Sequence, residues 1–458
     1  MASIEGLLER LSRPGTATVP AAELRTALGI SPATLSRLVA SAGDRVARLG
    51  QTRAVVYART RVVEGLGRRV PVYRVAEDGT AQETGELRFL GERSTWLTDT
   101  GSVGGWYAGL PPFLADMAPQ GYLGQTFPTR FPELRLPPRL SVWSDDDRLR
   151  VLALRGEDSI GNVILGSESL ERFFALSPTD AAPAAFPKLA EQSARGVAGS
   201  SAGGERPKFG TVSGGRHVLV KFAPPGGGPV ARRWRDLLWC EAHALRVIAH
   251  AGQQAAGAVV HDIKGWRFLE TVRFDRVGLR GRRAVLSLEA LAHEYLSDRV
   301  SWTAAAAELS KPGARDCPYS LAATEASRLR WLDAFGQLSG NTDRHFGNVT
   351  FYVSANRELR LAPAYDTVPM ILAPAAETLV DRPFRSAPPA PGALAEWKAA
   401  APWAVRYWSD VAAQPRLDAG LRRQAHAAAR SVEELGRAVM PSDWERALRL
   451  ARGPSLGR

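Results

Sequence analysis

The chain has 458 residues, 45% of them hydrophobic and 23% charged, the composition of a globular protein of about two to four domains with ample core. No window approaches the roughly 18 uninterrupted apolar residues of a membrane span, and charges interrupt the stretch from Met1 to Arg10 where a signal peptide would be apolar, so the expectation is a cytoplasmic protein with no membrane partner. The net charge of +12 is carried by arginine, with only six lysines among 59 basic residues; it reads as compositional drift and does not by itself assign a nucleic-acid partner.

Residues 1 to 70 predict a small winged helix-turn-helix. Ile4, Leu7, Leu8 and Leu11 share one face of a first helix, Ala21 to Leu28 makes a second, and Gly29 ends it in a left-handed conformation. Ile30 is the buried turn residue; Ser31 caps a third helix with Pro32 in its first turn. That helix would enter the major groove of DNA and present Ala33, Thr34, Ser36 and Arg37. Arg45 to Arg59 alternates as a hairpin wing around Gly50 and Gln51, with arginines available for the DNA backbone. Eleven arginines face five carboxylates over these 70 residues. The same three helices would also suit a dimerisation or docking module.

Residues 71 to 186 turn to short alternating strands. Val70 to Val75 and Glu86 to Leu90 flank the turn residues Asp78 and Gly79, as in a hairpin meander. Trp96, Trp106 and Tyr107 are expected to fill a core, Arg148 to Gly166 to supply a helix and a strand, and Ala175 to Pro187 to connect.

Residues 187 to 286 carry the first phosphate-binding signals. The run Val197 to Phe209 contains Ser200, Ser201, Gly203, Gly204 and Lys208. Small residues let backbone amides approach phosphate oxygens, and a lysine at the end of the loop neutralises charge. The Gly-Lys-Ser/Thr ending of a Walker loop is absent, and a flexible linker has the same composition. A strand follows, Arg216 to Phe222, whose Lys221 lies where a kinase N-lobe grips the α and β phosphates of its nucleotide. In the amphipathic helix Asp236 to Ile248, Glu241 is positioned to pair with Lys221. Thr271, Val272, Arg273 and Phe274 then suit a hinge that reads adenine through its backbone.

Residues 287 to 458 are mainly helical, with runs at Ser287 to Tyr295, Tyr319 to Leu338 and Trp403 to Val439. Leu329, Leu332, Phe335 and Leu338 keep helical spacing up to the stretch Asn341-Thr-Asp343-Arg-His345-Phe-Gly-Asn348. Asp343 and Asn348 have the Asp-x4-Asn spacing with which kinase catalytic loops place a base beside a metal-binding amide, and a second carboxylate, Asp366, arrives after a short hairpin. Taken alone, Asn341, Asp343 and Asn348 would also suit a loop whose side chains bond their own backbone. Cys240 and Cys317 stand in dissimilar settings, and no disulfide is expected.

With these pieces in order the chain resembles the HipA family of bacterial serine/threonine kinases, the toxins of HipBA-type toxin–antitoxin modules. The segments that carry the resemblance are Ser201 to Lys208, Arg273 to Arg276, Asn341 to Asn348 and Tyr365-Asp366; the fused helix-turn-helix makes it similar to the YjjJ (HipH) branch. The resemblance implies an α+β, two-lobed protein-kinase-like fold with a β-rich N-lobe and a helical C-lobe, preceded by the winged helix-turn-helix. It implies ATP and Mg²⁺ as cofactors, Asp343 as the catalytic aspartate, and Asn348 and Asp366 as metal ligands. Lys221 would hold phosphates, Thr271 to Phe274 would flank adenine, and His345 would have a structural or nucleotide-adjacent role. A serine of the Gly-rich loop is autophosphorylated in this family, which ejects the loop and turns the kinase off; Ser201 fits best and Ser200 is the close alternative. Relatives act on an aminoacyl-tRNA synthetase, and a separate antitoxin is a further partner. Two positions depart from the pattern: Arg206 stands where relatives often carry glutamine, and Val272 where some carry an acidic residue. The expected function is a Mg-ATP-dependent kinase toxin with its own DNA-binding domain; the alternative is a DNA-binding regulator whose kinase fold is a nucleotide-sensing or partner-binding scaffold.

Overall fold

The short helix Ile4–Arg10 begins at Ser3, whose hydroxyl accepts the Gly6 N–H. The computed structural model describes residues 3–13, 15, 17–50, 55–194, 206–297, 299–311, 313, 316–376 and 378–451. Ser200, Ser201, Gly203 and Gly204 lie outside the described residues, as does Gln51 in the predicted wing turn. The chain divides into two compact units, Met1–Gln120 with Phe127–Ser177 and Gly121–Thr126 with Pro178–Arg458.

In the first unit, Gly29 ends the helix Ala21–Leu28 at φ 63°, and Ser31 caps Pro32–Ala42 by accepting the Thr34 N–H at 3.2 Å. Leu7, Leu8, Leu24, Leu35 and Tyr57 close a core over an antiparallel sheet of Val19–Pro20, Val56–Arg59 and Val46–Leu49. Ile30 packs against that core and is half-buried. Two arginines of the predicted wing are engaged within the chain: Arg45 pairs with Glu5 at 2.8 Å and Arg59 donates to Ser12 Oγ at 2.6 Å.

The rest of this unit is a five-stranded antiparallel sheet in the order Gly105–Tyr107, Thr95–Asp99, Ala81–Phe89, Arg69–Val75, Val163–Leu165. The helix Asp145–Arg155 starts with a reciprocal cap between Ser144 and Asp147 and buries Leu149 and Leu152 against Val72, Leu87 and Leu97. The core role expected of three aromatics is only partly realised. Trp96 and Tyr107 are half-buried, but Trp106 is 44% exposed because it alternates outward on the sheet's edge strand.

In the second unit the sheet Ala258–Ile263, Trp266–Val272, Arg216–Ala223, Lys208–Ser213 is antiparallel throughout. Its alternation separates two environments. Val218, Val220 and Phe222 pack with Phe186 of the helix Phe186–Ala194 on one side; on the other, Ala223 and Leu269 pack with Leu238 and Ala242 of the helix Pro229–His250. The second of these helices begins seven residues before its predicted start, since Pro229 is tolerated in a first turn. Phe186–Ala194 falls within and beyond the segment read as a connector.

The remainder is helical around a small sheet in the order Val285–Ser287, Thr350–Val353, Glu358–Leu361, Ser320–Leu321. The run predicted as Trp403 to Val439 is two helices, Leu394–Ala413 and Ala419–Val439, separated at Pro415, with Asp418 capping the second. Trp302–Leu309 is a further helix that the sequence reading did not single out.

Candidate active site

Lys221 is the centre of the site. It lies in mid-strand on the face that looks toward the helix Pro229–His250, and its side chain is only 5% exposed. Its Nζ donates to Glu241 Oε1 at 2.6 Å and to Asp366 Oδ1 at 2.7 Å. Glu241 shares the buried face of its helix with Leu238 and Leu245, a position where a carboxylate needs a partner. Lys208 sits directly opposite Lys221 across the strand pair and lends its positive charge to the same cluster.

Burial and pairing compete at each of these groups. Burial lowers the affinity of Lys221 for its proton, but Asp366 and Glu241 more than offset this and raise it above the usual lysine range. Burial pushes the Glu241 carboxyl up, and the Lys221 charge only partly opposes it. At Asp366 burial also acts upward, yet Lys221 and Lys208 outweigh it and hold the carboxyl below its ordinary value. Asp366 remains 29% exposed at its side chain and adopts φ 50°, a left-handed conformation that aspartate tolerates better than most residues.

The Asp343–Asn348 loop follows the helix Ala323–Leu338. Gly340 turns the chain at φ 73°, where a β-carbon would lie 2.9 Å from Ile371. Asn341 is buried: its Oδ1 accepts the Asp343 N–H at 3.0 Å and its Nδ2 approaches the Asp366 carbonyl at 3.5 Å. Asn348 Nδ2 donates to the Asp343 carbonyl at 2.8 Å, which leaves the amide oxygen as the acceptor for a cation. Asp343 is exposed, so its carboxylate is open to an incoming hydroxyl. His345 is also exposed; its Nδ1 accepts the Gly347 N–H at 3.1 Å and caps the turn Phe346–Asn348.

Several supporting residues were not found from the sequence. Asp333, 1% exposed, accepts from the Thr303 N–H and hydroxyl and from Arg344 Nε at 3.1 Å. Arg344 in turn donates to the Asn341 carbonyl. Trp302 Nε1 donates to the His345 carbonyl at 3.3 Å, and Tyr365 donates to the Gly347 carbonyl at 2.8 Å. A carboxylate at Asp333 between Leu329, Leu332 and Phe335 was the available signal, since a charge on an apolar helix face calls for a buried partner.

The predicted hinge is more occupied than expected. The Val272 N–H donates to the Gly257 carbonyl and the Arg273 N–H to the His217 carbonyl, both at 2.9 Å. The Thr271 hydroxyl donates to the Leu219 carbonyl, and Tyr352 donates to the Phe274 carbonyl at 3.1 Å. These backbone groups are therefore committed within the chain. The Arg273 side chain clasps Asp275, which also holds Arg276, and Phe274 packs on Tyr365 with ring centroids 5.4 Å apart.

Asp366 and Asn348 offer hard oxygen donors of the kind Mg²⁺ takes in small number alongside phosphate and water. Among the described residues no group of three or more His, Cys, Asp or Glu is placed to hold a metal ion by itself.

Residues 66–174 match the family described as YjjJ-like toxin, middle domain, and residues 200–439 match the HipA-like C-terminal domain. The chain is 35% identical over 421 residues to Toxin YjjJ of Escherichia coli (strain K12), covering 88% of this chain and 93% of that protein. Among solved structures it is similar to a chain of the Shewanella oneidensis MR-1 toxin–antitoxin complex of HipA, HipB and operator DNA, with a TM-score of 0.53 and 15% identity over 83% of this chain and 99% of that one. The mixed helix-and-sheet architecture is the HipA fold expected from the motifs. The chain belongs to the HipA-like toxins, in their YjjJ-like branch.

Proposed function

We propose that this toxin is a Mg-ATP-dependent serine/threonine protein kinase. The observation that carries the reading is Lys221 bridging Glu241 and Asp366, a charged link between the strand that would hold phosphates and the carboxylate that would hold metal. Lys221 stays protonated throughout the physiological range and is fixed by Glu241, so its charge is in place before a nucleotide arrives. Asp366 and Asn348 would hold Mg²⁺; bound there, the ion supplies neutralisation of charge on the phosphoryl oxygens. Asp343, exposed beside Asn348, orients an acceptor hydroxyl and takes its proton as the phosphoryl group transfers. Asn341, Arg344 and Asp333 keep that loop in register.

The autophosphorylation assigned to Ser201, with Ser200 as the alternative, falls outside the described residues and is part of the proposal. So is an aminoacyl-tRNA synthetase as the protein substrate. The HipB and operator DNA named with the solved HipA relative support an antitoxin and DNA as partners. The exposed Ser36 and Arg37 on Pro32–Ala42 suit DNA contact, whereas Thr34 is engaged with Ser31 Oγ at 3.0 Å.

The test is transfer of labelled γ-phosphate from Mg-ATP to the protein itself. Wild type should label on serine, and Asp343→Asn should lose at least about a hundredfold in rate. No labelling of wild type, together with tight DNA binding, would favour the regulator reading instead; undiminished labelling in Asp343→Asn would remove Asp343 from the catalytic role.

A further inference from the structure

Arg206 has no place in the site described so far. The Phe222 N–H donates to the Pro207 carbonyl at 3.0 Å, continuing the register in which Lys208 faces Lys221. Side chains two residues apart on an extended chain point the same way, so Arg206 and Lys208 share the side of the sheet that meets the helix Pro229–His250. The Arg206 guanidinium lies over the ring of Trp234 on that helix, with Cζ 3.1 Å from the ring centroid. Trp234 precedes Glu241 by seven residues, or two helical turns along one face. Arg206, Lys208 and Lys221 therefore share the side of the sheet that meets this helix.

Their charges are balanced unequally. Lys221 has Glu241 and Asp366. No carboxylate among the described residues pairs with Arg206, and its Nε is buried without a hydrogen-bond partner. Burial draws its pKa down to about 10 with no opposing charge. The indole face offsets part of that desolvation, but the Nε–H on the edge of the guanidinium still lacks an acceptor. Phosphoryl oxygens match that donor fork better than any other common anion except carboxylate.

We propose that Arg206, held by its stack on the Trp234 ring, is a nucleotide-phosphate ligand, and that it makes the site select nucleoside di- and triphosphates over adenosine. This rests on the kinase reading and adds to it a phosphate-binding cation beside Lys208 and Lys221.

Calorimetric titration of the full chain with adenosine, ADP and ATP, each with Mg²⁺, tests the assignment. Arg206→Gln should weaken ATP by about tenfold or more, as loss of a charge-assisted contact does, and leave adenosine unchanged; Arg206→Lys should recover part of the loss. Trp234→Leu should weaken ATP with the same selectivity. Thermal melts of each variant separate loss of binding from loss of fold, and Arg206→Lys keeps the test usable if the glutamine variant folds poorly. Equal weakening of adenosine and ATP would make the stack a packing contact and overturn the proposal. Unchanged ATP affinity in Arg206→Gln would overturn it while leaving the kinase reading intact. A wild type that binds no nucleotide would overturn both.

Discussion

Lys221 shows why single residues in this site cannot be valued separately. Removing one partner of a buried ion pair usually leaves an uncompensated charge and costs about 3–5 kcal/mol, but Lys221 has two carboxylates. Glu241→Gln should therefore leave the protein folded, with Lys221 drawn toward Asp366, and should lower phosphoryl transfer by about 10–100-fold through misplacement of the lysine. Steady-state kinetics with a thermal melt checks this; full activity would show that Glu241 serves the fold alone. Glu241 was legible because it sits on an otherwise apolar helix face just after a strand bearing one of six lysines. Asp366 was legible as a second carboxylate, but its direct contact with a lysine 145 residues earlier was not. Asp333 and Trp302 were missed because their partners, Arg344 and the His345 carbonyl, come from a loop whose path only packing determines.

Helices and strands were placed best where capping or alternation spoke locally, and worst where two elements had to meet. The helix Ala419–Val439 passes Trp444 so closely that a β-carbon on Gly436 would come within 2.2 Å of its ring. Gly436→Ala should accordingly cost about 1–3 kcal/mol by overpacking, despite alanine's better helix propensity; urea unfolding measures it, and a stabilised variant would show that Trp444 moves away freely. In the five-stranded sheet, burial would raise the Asp99 carboxyl, but hydrogen bonds and charge from Arg74 outweigh it and hold the pKa at about 2 against 3.8. A depressed folded-state pKa means that the pair's contribution, about 2 kcal/mol, is present above pH of about 4 and is lost as pH falls toward 2. Stability of wild type measured at pH 7 and pH 3 should differ more than that of Asp99→Asn; equal pH dependence would remove Arg74–Asp99 from the acid response. Nothing in the alternation of these strands indicated that Asp99 lies across the sheet from Arg74.

Across the whole molecule, a charge of +12 did not distinguish a nucleic-acid-binding surface from arginine-rich composition, because arginines are also spent internally, as at Arg45 and Arg59. If the exposed face of Pro32–Ala42 reads DNA, Arg37→Ala should lower affinity for duplex DNA nearly uniformly across sequences and reduce the slope of log affinity against log salt by about 1. Fluorescence anisotropy over a salt series measures this, and an unchanged slope would take Arg37 off the phosphate backbone. The HipA resemblance, the locally capped helices and the residue types of the Asn341–Asn348 loop were determined by sequence alone, since capping, periodicity and Asp-x4-Asn spacing are local properties. Tertiary structure decided the rest: that Lys221 joins Glu241 to Asp366, that the hinge amides of Val272 and Arg273 are committed inside the chain, and that Arg206 lies on Trp234 with no carboxylate partner among the described residues. Each depends on which distant groups burial brings together, and the cost of leaving a buried charge or amide unpaired is what makes those meetings specific.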